Sequence, residues 1–277
     1  MAWTKDGGAR NRARAMAMAS LAAALVAACG RTAMAELVGT GGAASGTGAP
    51  ALMLTEIRVD QSGADNDEYF EVCGSAGASL AGWWFIALGD SASDPAGVVE
   101  MAVDLSAHSL GSNGYFVGHE ATFGNTSFAG QTLSIAAGGA HATIGTGDSL
   151  NFENADTVTY LLVRGFTGTV GMDLDAGNDG MLDALPWLEL ADAVAFVRTA
   201  STDPVYASAQ VGPIDLTATS GMPPHAWRDE TGWHAGLYGA WDLDTPGSGV
   251  FVPGPGAAAL LLGAVGRAHG YHRRRRE

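Results

Sequence analysis

The stretch that decides the fold class runs from Leu52 to Cys73 and reads LMLTEIRVDQSGADNDEYFEVC. Apolar and polar residues alternate over residues 52–59 and again over 68–73, and an acidic loop separates the two runs. An alternation with a period of two places successive side chains on opposite faces of the chain, which is typical of β-strands. We therefore predict two strands in this stretch, joined by the acidic loop.

Similar short runs recur along the chain, each rich in β-branched and aromatic residues and bounded by Gly, Asn, Asp or Ser. The further predicted strands are Trp83 to Leu88, Val98 to Leu105, Gly114 to Gly118, Thr132 to Ile135, Thr157 to Val163 and Asp192 to Val197. A short helix is expected near Trp187 to Asp192. Many short strands with turn residues between them favour an all-β fold, an antiparallel sandwich or barrel.

Charge is distributed unevenly along the 277 residues, which have a net charge of −15. Residues 36–252 contain 27 of the 29 acidic residues but only 4 of the 14 basic ones, which gives this body a charge of −23. Binding to phosphates needs clustered Lys and Arg, so we expect no nucleic-acid partner. Apolar residues make up 47% of the chain, a content well above that of disordered chains.

Residues 1–35 have the layout of an export signal. A basic region ends at Arg14, the apolar run Ala15 to Ala28 follows, and Thr32 to Ala35 provides a small-x-small cleavage site. Cleavage after Ala35 predicts a secreted protein, and residues 36–50 then form a flexible linker. An alternative stays open, because the residues before Cys29 resemble a lipobox, which would make Cys29 the lipidated first residue of a bacterial lipoprotein.

Residues 250–277 have the layout of a sorting tail. A Pro-x-Pro segment is followed by the apolar run Gly256 to Gly266 and the basic cluster Arg273 to Arg276. This arrangement resembles the PEP-CTERM signal, although Gly254 replaces the Glu of that motif and the apolar run is interrupted after 11 residues by Arg267, His269 and His272. The resemblance implies transient contact with the membrane, removal of the tail and transfer to the cell surface. A solvated, charged tail is the alternative.

The body, residues 51–249, resembles lamin-tail domains. The segment from Leu54 to Val72 is similar to the family's opening "EI" strand, acidic loop and "EYFEL" strand. The resemblance continues at Ser79 to Trp83, Gly114 to Val117, Asn151 to Val158, Asp192 to Ala195 and the closing Asp244 to Ser248. It implies an immunoglobulin-like β-sandwich, elaborated because the body is longer than a minimal lamin tail.

The acidic stretch from Asp173 to Asp183 is the candidate metal site. Oxygen-bearing side chains recur around Gly180, and Ca²⁺ prefers six to eight oxygen ligands in a loop with a glycine at its sharp turn. The predicted calcium ligands are Asp173, Asp175, Asn178, Asp179 and Asp183. Gly177 and Pro186 stand where an EF-hand has ligands, so a complete EF-hand is not expected. The alternative is a solvated acidic turn in which Gly180 supplies a positive φ.

Other polar and nucleophilic residues receive structural interpretations. The acids of the first loop are expected to form a solvated loop that enters a strand, with Glu68 and Glu71 on opposite faces. Cys73 is expected to be a small core residue. The body's histidines show no metal-binding spacing, and His225 and His234 are expected to pack in closing strands. The first-loop acids are Asp60, Asp65, Asp67, Glu68 and Glu71.

Two functions follow from these patterns. The first is a secreted or surface-displayed, non-catalytic adhesion, matrix or interaction module stiffened by calcium, with a protein or polysaccharide of the cell envelope or matrix as partner. The second is a calcium-dependent extracellular hydrolase, or an accessory subunit of one, that uses carboxylates of residues 60–71 and 173–183. Acids gathered in one concave pocket would favour the enzyme, and acids on separate loops would favour the module.

Overall fold

The protein folds into two β-sheets that pack face to face. The computed structural model describes residues 52–60, 66–89, 96–124, 132–147, 149–150, 152, 156–198, 203–213, 221–236 and 244–249. The strands in these ranges are β1 (Met53–Arg58), β2 (Tyr69–Cys73), β3 (Trp83–Gly89), β4 (Val98–Asp104), β5 (Tyr115–His119), β6 (Ala140–Thr143), β7 (Val158–Arg164), β8 (Glu189–Phe196), β9 (Ala209–Val211), β10 (His225–Asp229) and β11 (Gly232–Gly236).

The strand order is β11-β10-β1-β2-β5-β6 in the first sheet and β4-β3-β7-β8-β9 in the second. Side chains of both sheets interdigitate in one buried core, where the rings of Phe70 in β2 and Phe85 in β3 stack with centroids 3.9 Å apart. Tyr160 and Phe196 extend this aromatic cluster across the second sheet. The predicted all-β sandwich is therefore confirmed, while its immunoglobulin-like character stays a prediction.

The second sheet is buried on both faces, which explains the continuous apolar runs in its strands. Ile86, Leu88 and Leu161 point away from the central core into a second apolar cluster. Leu174 and Tyr206, from the segments that cross this outer face, complete the cluster and are buried. The central strands β3 and β7, which have apolar clusters on both faces, are mainly apolar throughout, whereas β1 carries Glu56 and Arg58 on its buried outer face and keeps the period-two alternation.

Several predictions about single elements are wrong. Residues 132–135 form no strand, although Leu133 and Ile135 still pack against the outer face of the first sheet. The helix expected near residues 187–192 is absent, because β8 begins at Glu189 and pairs with β7. Two pairings are parallel, β5 with β6 and β8 with β9, at the edges of an otherwise antiparallel sandwich.

The predicted signal (1–35), linker (36–50) and tail (250–277) lie outside the described residues. In the ranges that the structure describes, no helix has the length and apolar character needed to cross a membrane.

Candidate functional site

A buried polar cluster lies on the face of the first sheet that points away from the central core. A bulge between Leu54 and Glu56 changes the alternation of β1, so that Leu54 and Ile57 both pack in the core. Glu56 and Arg58 consequently lie on the opposite face. We define the polar cluster as Glu56, Arg58, Tyr69, His225 and Asp244, whose side chains are all buried.

The ion pair of Arg58 and Asp244 joins β1 to residues 244–249, which we call the closing segment. Arg58 Nε donates to Asp244 Oδ1 at 2.7 Å, and Nη2 donates to Oδ2, so the contact is bidentate. Arg58 Nη1 donates to the Asp60 carbonyl at 2.9 Å. Both side chains are 0% exposed. A buried charge needs such paired hydrogen bonds, because removing its partner leaves a desolvated charge in the fold.

Glu56 accepts hydrogen bonds from three directions. Its Oε1 accepts from the Tyr69 hydroxyl at 2.7 Å, from His225 Nε2 at 2.8 Å and from the Thr245 backbone N–H at 2.8 Å. The Tyr69 hydroxyl also lies 2.9 Å from Asp244 Oδ1, so its proton is shared between the two carboxylates. Burial, reinforced by the charges of Glu56 and Asp244, raises the pKa of Tyr69 well above its ordinary value. Tyr69 therefore stays a hydrogen-bond donor.

Glu71 fixes the closing segment at a second point. Its carboxylate accepts from the Thr55 hydroxyl and, at 2.6 Å, from the backbone N–H of Gly247. Burial and the nearby Glu56 carboxylate raise the pKa of Glu71 well above its ordinary value, although these hydrogen bonds act in the opposite direction. Gly247 has a φ of +85°, and a Cβ there would lie 2.9 Å from Ile135 Cγ2. Only glycine fits this position without strain.

Glu56, His225 and Asp244 have the donor set of a metal site, since one ligand atom from each lies within 4.8 Å of the others. The position of the His225 ring proton fits a hydrogen-bonded cluster better than a metal site. His225 Nδ1 is buried with no hydrogen-bond partner in the described part of the chain. A metal on Nε2 would move the ring proton to Nδ1 and bury it without an acceptor, whereas ligating histidines almost always donate that proton to a partner. We therefore assign these residues a structural role.

Asp67 and Glu68 are buried, so the prediction of a solvated acidic loop is wrong for them. Asp67 accepts from the backbone N–H of Gly124 at 2.7 Å, and both oxygens of Glu68 lie 3.1 Å from the N–H of Phe152. These carboxylates provide acceptors for the backbone of remote segments, which the linear sequence does not reveal. Asp65 lies outside the described residues, and Asp60 has an intermediate exposure.

The predicted calcium loop is ordered around Asp175. This side chain is 0% exposed, and it accepts from the N–H groups of Asp179 and Gly180 at 3.1 and 2.9 Å and from the Tyr206 hydroxyl at 2.8 Å. Burial opposes ionisation, but these hydrogen bonds, led by that of Tyr206, lower the pKa of Asp175. Gly180 has a φ of +82°, as the acidic-turn alternative expects, and Asn178 has a φ of +48°.

The structure does not gather the acids of this loop into a compact ligand group. Asp173 Oδ1 accepts from the N–H of Asp175, and Asp179 Oδ1 accepts from that of Met181. Across the described ranges, ligand atoms of three residues converge to within 4.8 Å of one another in the polar cluster, whereas those of Asp173, Asp175, Asp179 and Asp183 do not. Calcium binding at this loop stays a prediction.

Two histidines, which showed no metal-binding spacing in the sequence, lie together at the edge of the first sheet. His119 ends β5 and His141 lies in the parallel neighbour β6, with His119 Nε2 3.1 Å from His141 Nδ1. Burial lowers the pKa of His119; the charge of His141 acts in the same direction and the hydrogen bond to the Glu120 carbonyl opposes it. The sequence hides this pair because its members are 22 positions apart and belong to two different strands.

Cys73 and an open groove complete the inventory of candidate sites. Cys73 is a buried free thiol, as predicted, and burial raises its pKa to about 12. The groove beside β4 has a volume of ≈ 580 Å³ and is lined mainly by apolar side chains, with Glu100 as its acidic residue. None of the acids from residues 60–71 or 173–183 lines this groove. The groove and the acids singled out from the sequence are therefore separate features.

Comparisons with known proteins give no match, either to a protein-family model, to a curated protein or to a solved structure. The lamin-tail resemblance thus depends on the quoted residues alone. Its opening and closing segments contain Glu56, Tyr69 and Asp244, which are joined by hydrogen bonds through the Tyr69 hydroxyl. Glu71 of the opening segment accepts from Gly247 of the closing one.

Proposed function

We propose that the protein is a surface-displayed, non-catalytic interaction module of the lamin-tail type. In this proposal the N-terminal signal exports the chain, and the C-terminal tail passes it to the cell surface. Its partner is a protein or polysaccharide of the envelope or matrix. The β-sandwich fold and the acidic, lysine-free body are consistent with this role, because acidic surfaces favour solubility and attract cations without selecting nucleic acid.

One observation carries the proposal: three acids of the 60–71 stretch that could perform hydrolysis, Asp67, Glu68 and Glu71, are buried and bind the protein's own backbone instead. Asp67, Glu68 and Glu71 accept backbone hydrogen bonds from segments that lie 57, 84 and 176 residues away. A general acid or base must reach the proton it transfers on a substrate. Buried carboxylates whose oxygens accept the protein's own N–H groups do not reach a substrate, so the structural role is favoured over the hydrolase.

Calcium is part of the proposal as a stabiliser of the 173–183 loop. The exposed residues with side-chain oxygens there are Asp173, Asn178, Asp179 and Asp183, while the buried Asp175 orders the loop from inside. Carboxylate and amide oxygens are the ligands that Ca²⁺ prefers, and weak sites suit the millimolar calcium found outside cells. The ion would join the exposed side of a loop that is already folded. It would therefore raise the melting temperature without creating the fold.

Mass spectrometry of the protein recovered from an expressing bacterium tests the export and display parts. Cleavage after Ala35 and loss of residues after the Pro-x-Pro segment are expected, together with digestion of the protein by protease added to intact cells. A mature chain that starts at Cys29 with a lipid would change the anchor from the tail to the lipid. A chain that keeps both ends and resists external protease would contradict the proposal.

Calorimetry with Ca²⁺ and with EDTA tests the calcium part. We expect a higher melting temperature in millimolar Ca²⁺ than in EDTA, and we expect Asp183→Asn to reduce the difference. Glu189→Gln is the matched control, because it removes an exposed acid outside the loop. An identical melting temperature in both solutions would refute calcium binding and leave the display proposal standing.

A further inference from the structure

We infer that His119 and His141 form a binding site for a divalent transition-metal ion of the class that imidazole prefers, such as Cu²⁺, Ni²⁺ or Zn²⁺. The two rings lie on the edge strand β6 of the first sheet and on its neighbour β5. Their facing nitrogens, Nε2 of His119 and Nδ1 of His141, are 3.1 Å apart. The inference does not depend on the proposed function.

The separation of the nitrogens fits a shared ion. Metal–imidazole bonds are about 2.0–2.1 Å long. Two such nitrogens are therefore roughly 2.9 Å apart when the angle at the metal is a right angle, and roughly 3.4 Å apart when it is tetrahedral. The observed 3.1 Å lies between these values. An ion bound by both nitrogens would lie off the line that joins them, so it would replace the shared proton after the exposed His141 ring turns to direct Nδ1 at it.

The surroundings of His119 fix it in the tautomer that a metal requires. Its Nδ1 lies 2.8 Å from the Glu120 carbonyl oxygen, which can only accept a hydrogen bond. The proton is therefore on Nδ1, and the lone pair of Nε2 points to His141. A backbone carbonyl on the far nitrogen is the usual support of a ligating histidine. Phe123 packs against the ring with centroids 4.9 Å apart and restricts its rotation.

His141 supplies the second ligand and access for the ion. Its side chain is exposed, whereas His119 is 8% exposed, so the pair has one fixed, half-enclosed ligand and one ligand open to water. Water can complete the coordination sphere. His225 lacks both features, because it is buried and its far nitrogen has no acceptor in the described part of the chain.

The ligand chemistry separates this site from the calcium loop. Imidazole suits Cu²⁺, Ni²⁺ and Zn²⁺, with Cu²⁺ bound most tightly among the divalent first-row ions, whereas Ca²⁺ prefers oxygen. The two sites should therefore respond to different ions. The charge of −23 on residues 36–252 concentrates any divalent cation near the protein, but it does not select between the two sites.

The test is a titration of the full chain with Cu²⁺ alone, followed by electron paramagnetic resonance and pulsed measurements that count equatorial imidazoles. We expect a centre with two imidazole nitrogens in the parent chain. His141→Ala should reduce the count by one and weaken binding by more than about tenfold. His234→Ala is the matched control, since it removes another partly exposed histidine of the same sheet that bonds Asp229 and Thr231.

His269 and His272 are present in every variant, so copper bound by them contributes equally to all. His119→Gln provides a second removal, with circular dichroism as the check of folding. Three results together support the site. The parent chain shows a centre with two imidazoles, His141→Ala and His119→Gln each lose that centre, and His234→Ala keeps it. The same spectrum and affinity in the parent and in His141→Ala would overturn it.

Discussion

Removal of the Asp244 carboxylate tests whether the polar cluster stabilises the fold. Asp244→Ala deletes the bidentate partner of Arg58 and one acceptor of the Tyr69 proton. Arg58 would keep its hydrogen bond to the Asp60 carbonyl, but its guanidinium would be buried and without a paired charge. The closing segment would lose one of its two attachments to β1, the other being the contact of Thr245 with Glu56.

The expected loss can be estimated from these contacts. Breaking a buried ion pair by removing one partner costs about 3–5 kcal/mol. An exposed pair contributes about 0–1 kcal/mol, because water screens it and the side chains lose entropy. Arg164 and Glu189 form such a pair, with 47% and 38% of their side chains exposed. Glu189→Ala is therefore the control, and Asp244→Ala should be destabilising by several times more.

Urea denaturation followed by tryptophan fluorescence measures both variants in the full chain. A double-mutant cycle adds the second test, in which Arg58→Met is combined with Asp244→Leu. Replacing both charges by apolar groups removes the uncompensated charge, so the double variant should be more stable than the sum of the single losses predicts. An Asp244→Ala cost as small as that of Glu189→Ala, or strictly additive losses in the cycle, would refute the reasoning.

The remaining predictions concern three other positions. Glu71→Gln should flatten the pH dependence of stability. Because folding raises the pKa of Glu71, its contribution to the free energy of unfolding is full below the unfolded pKa of about 4.3 and is lost as pH rises through the folded pKa. Urea midpoints between about pH 5 and 8 should therefore fall less in the variant than in the parent. Gly247→Ala should cost about 1–2 kcal/mol or more in the same assay, because alanine is strained at a φ of +85°. Gly177→Ala should cost less, because a Cβ there would meet its nearest neighbour at 3.8 Å, an ordinary van der Waals distance, and its φ is not left-handed. In a Cys29→Ser chain, the Cys73 thiol, with its pKa of about 12, should resist a disulfide reagent until urea unfolds the protein, and rapid labelling of the native chain would contradict its burial.

The sequence predicts strands well where apolar and polar residues alternate or where a continuous apolar run has turns on both sides. The predicted 52–59, 68–73, 83–88 and 157–163 all coincide with strands. Residues 132–135 have a strand-like composition but form no strand in the structure, and they pack as a covering segment instead. The pattern near residues 187–192 predicts a short helix, but residues 189–192 pair with β7, because tertiary pairing overrides a weak local period.

The candidate site could be predicted only in part, because its members are distant in sequence. Glu56 and Asp244 both belong to the segments that resemble lamin tails, but nothing in the spacing of 188 residues indicates that they meet around Tyr69. The burial of Glu68 and Glu71 is equally hidden in the sequence, because the acidic stretch around them looks like a solvated loop. Backbone N–H groups of Phe152 and Gly247, remote in the chain, donate to their carboxylates and allow them to be buried. The turn at Gly180 was predictable since a local hydrogen-bonding pattern defines it.

We propose that this protein binds an extracellular partner and catalyses no reaction on it. The most direct measurement incubates the full chain with isolated bacterial envelope and matrix polysaccharide in millimolar Ca²⁺. It records at the same time the protein that sediments with the polymer and the soluble fragments or reducing ends released from it. Saturable sedimentation with no release above that of a heat-unfolded control is the predicted result. Release of fragments in proportion to protein and time, abolished by Asp183→Asn or Glu71→Gln in folded chains, would contradict the account.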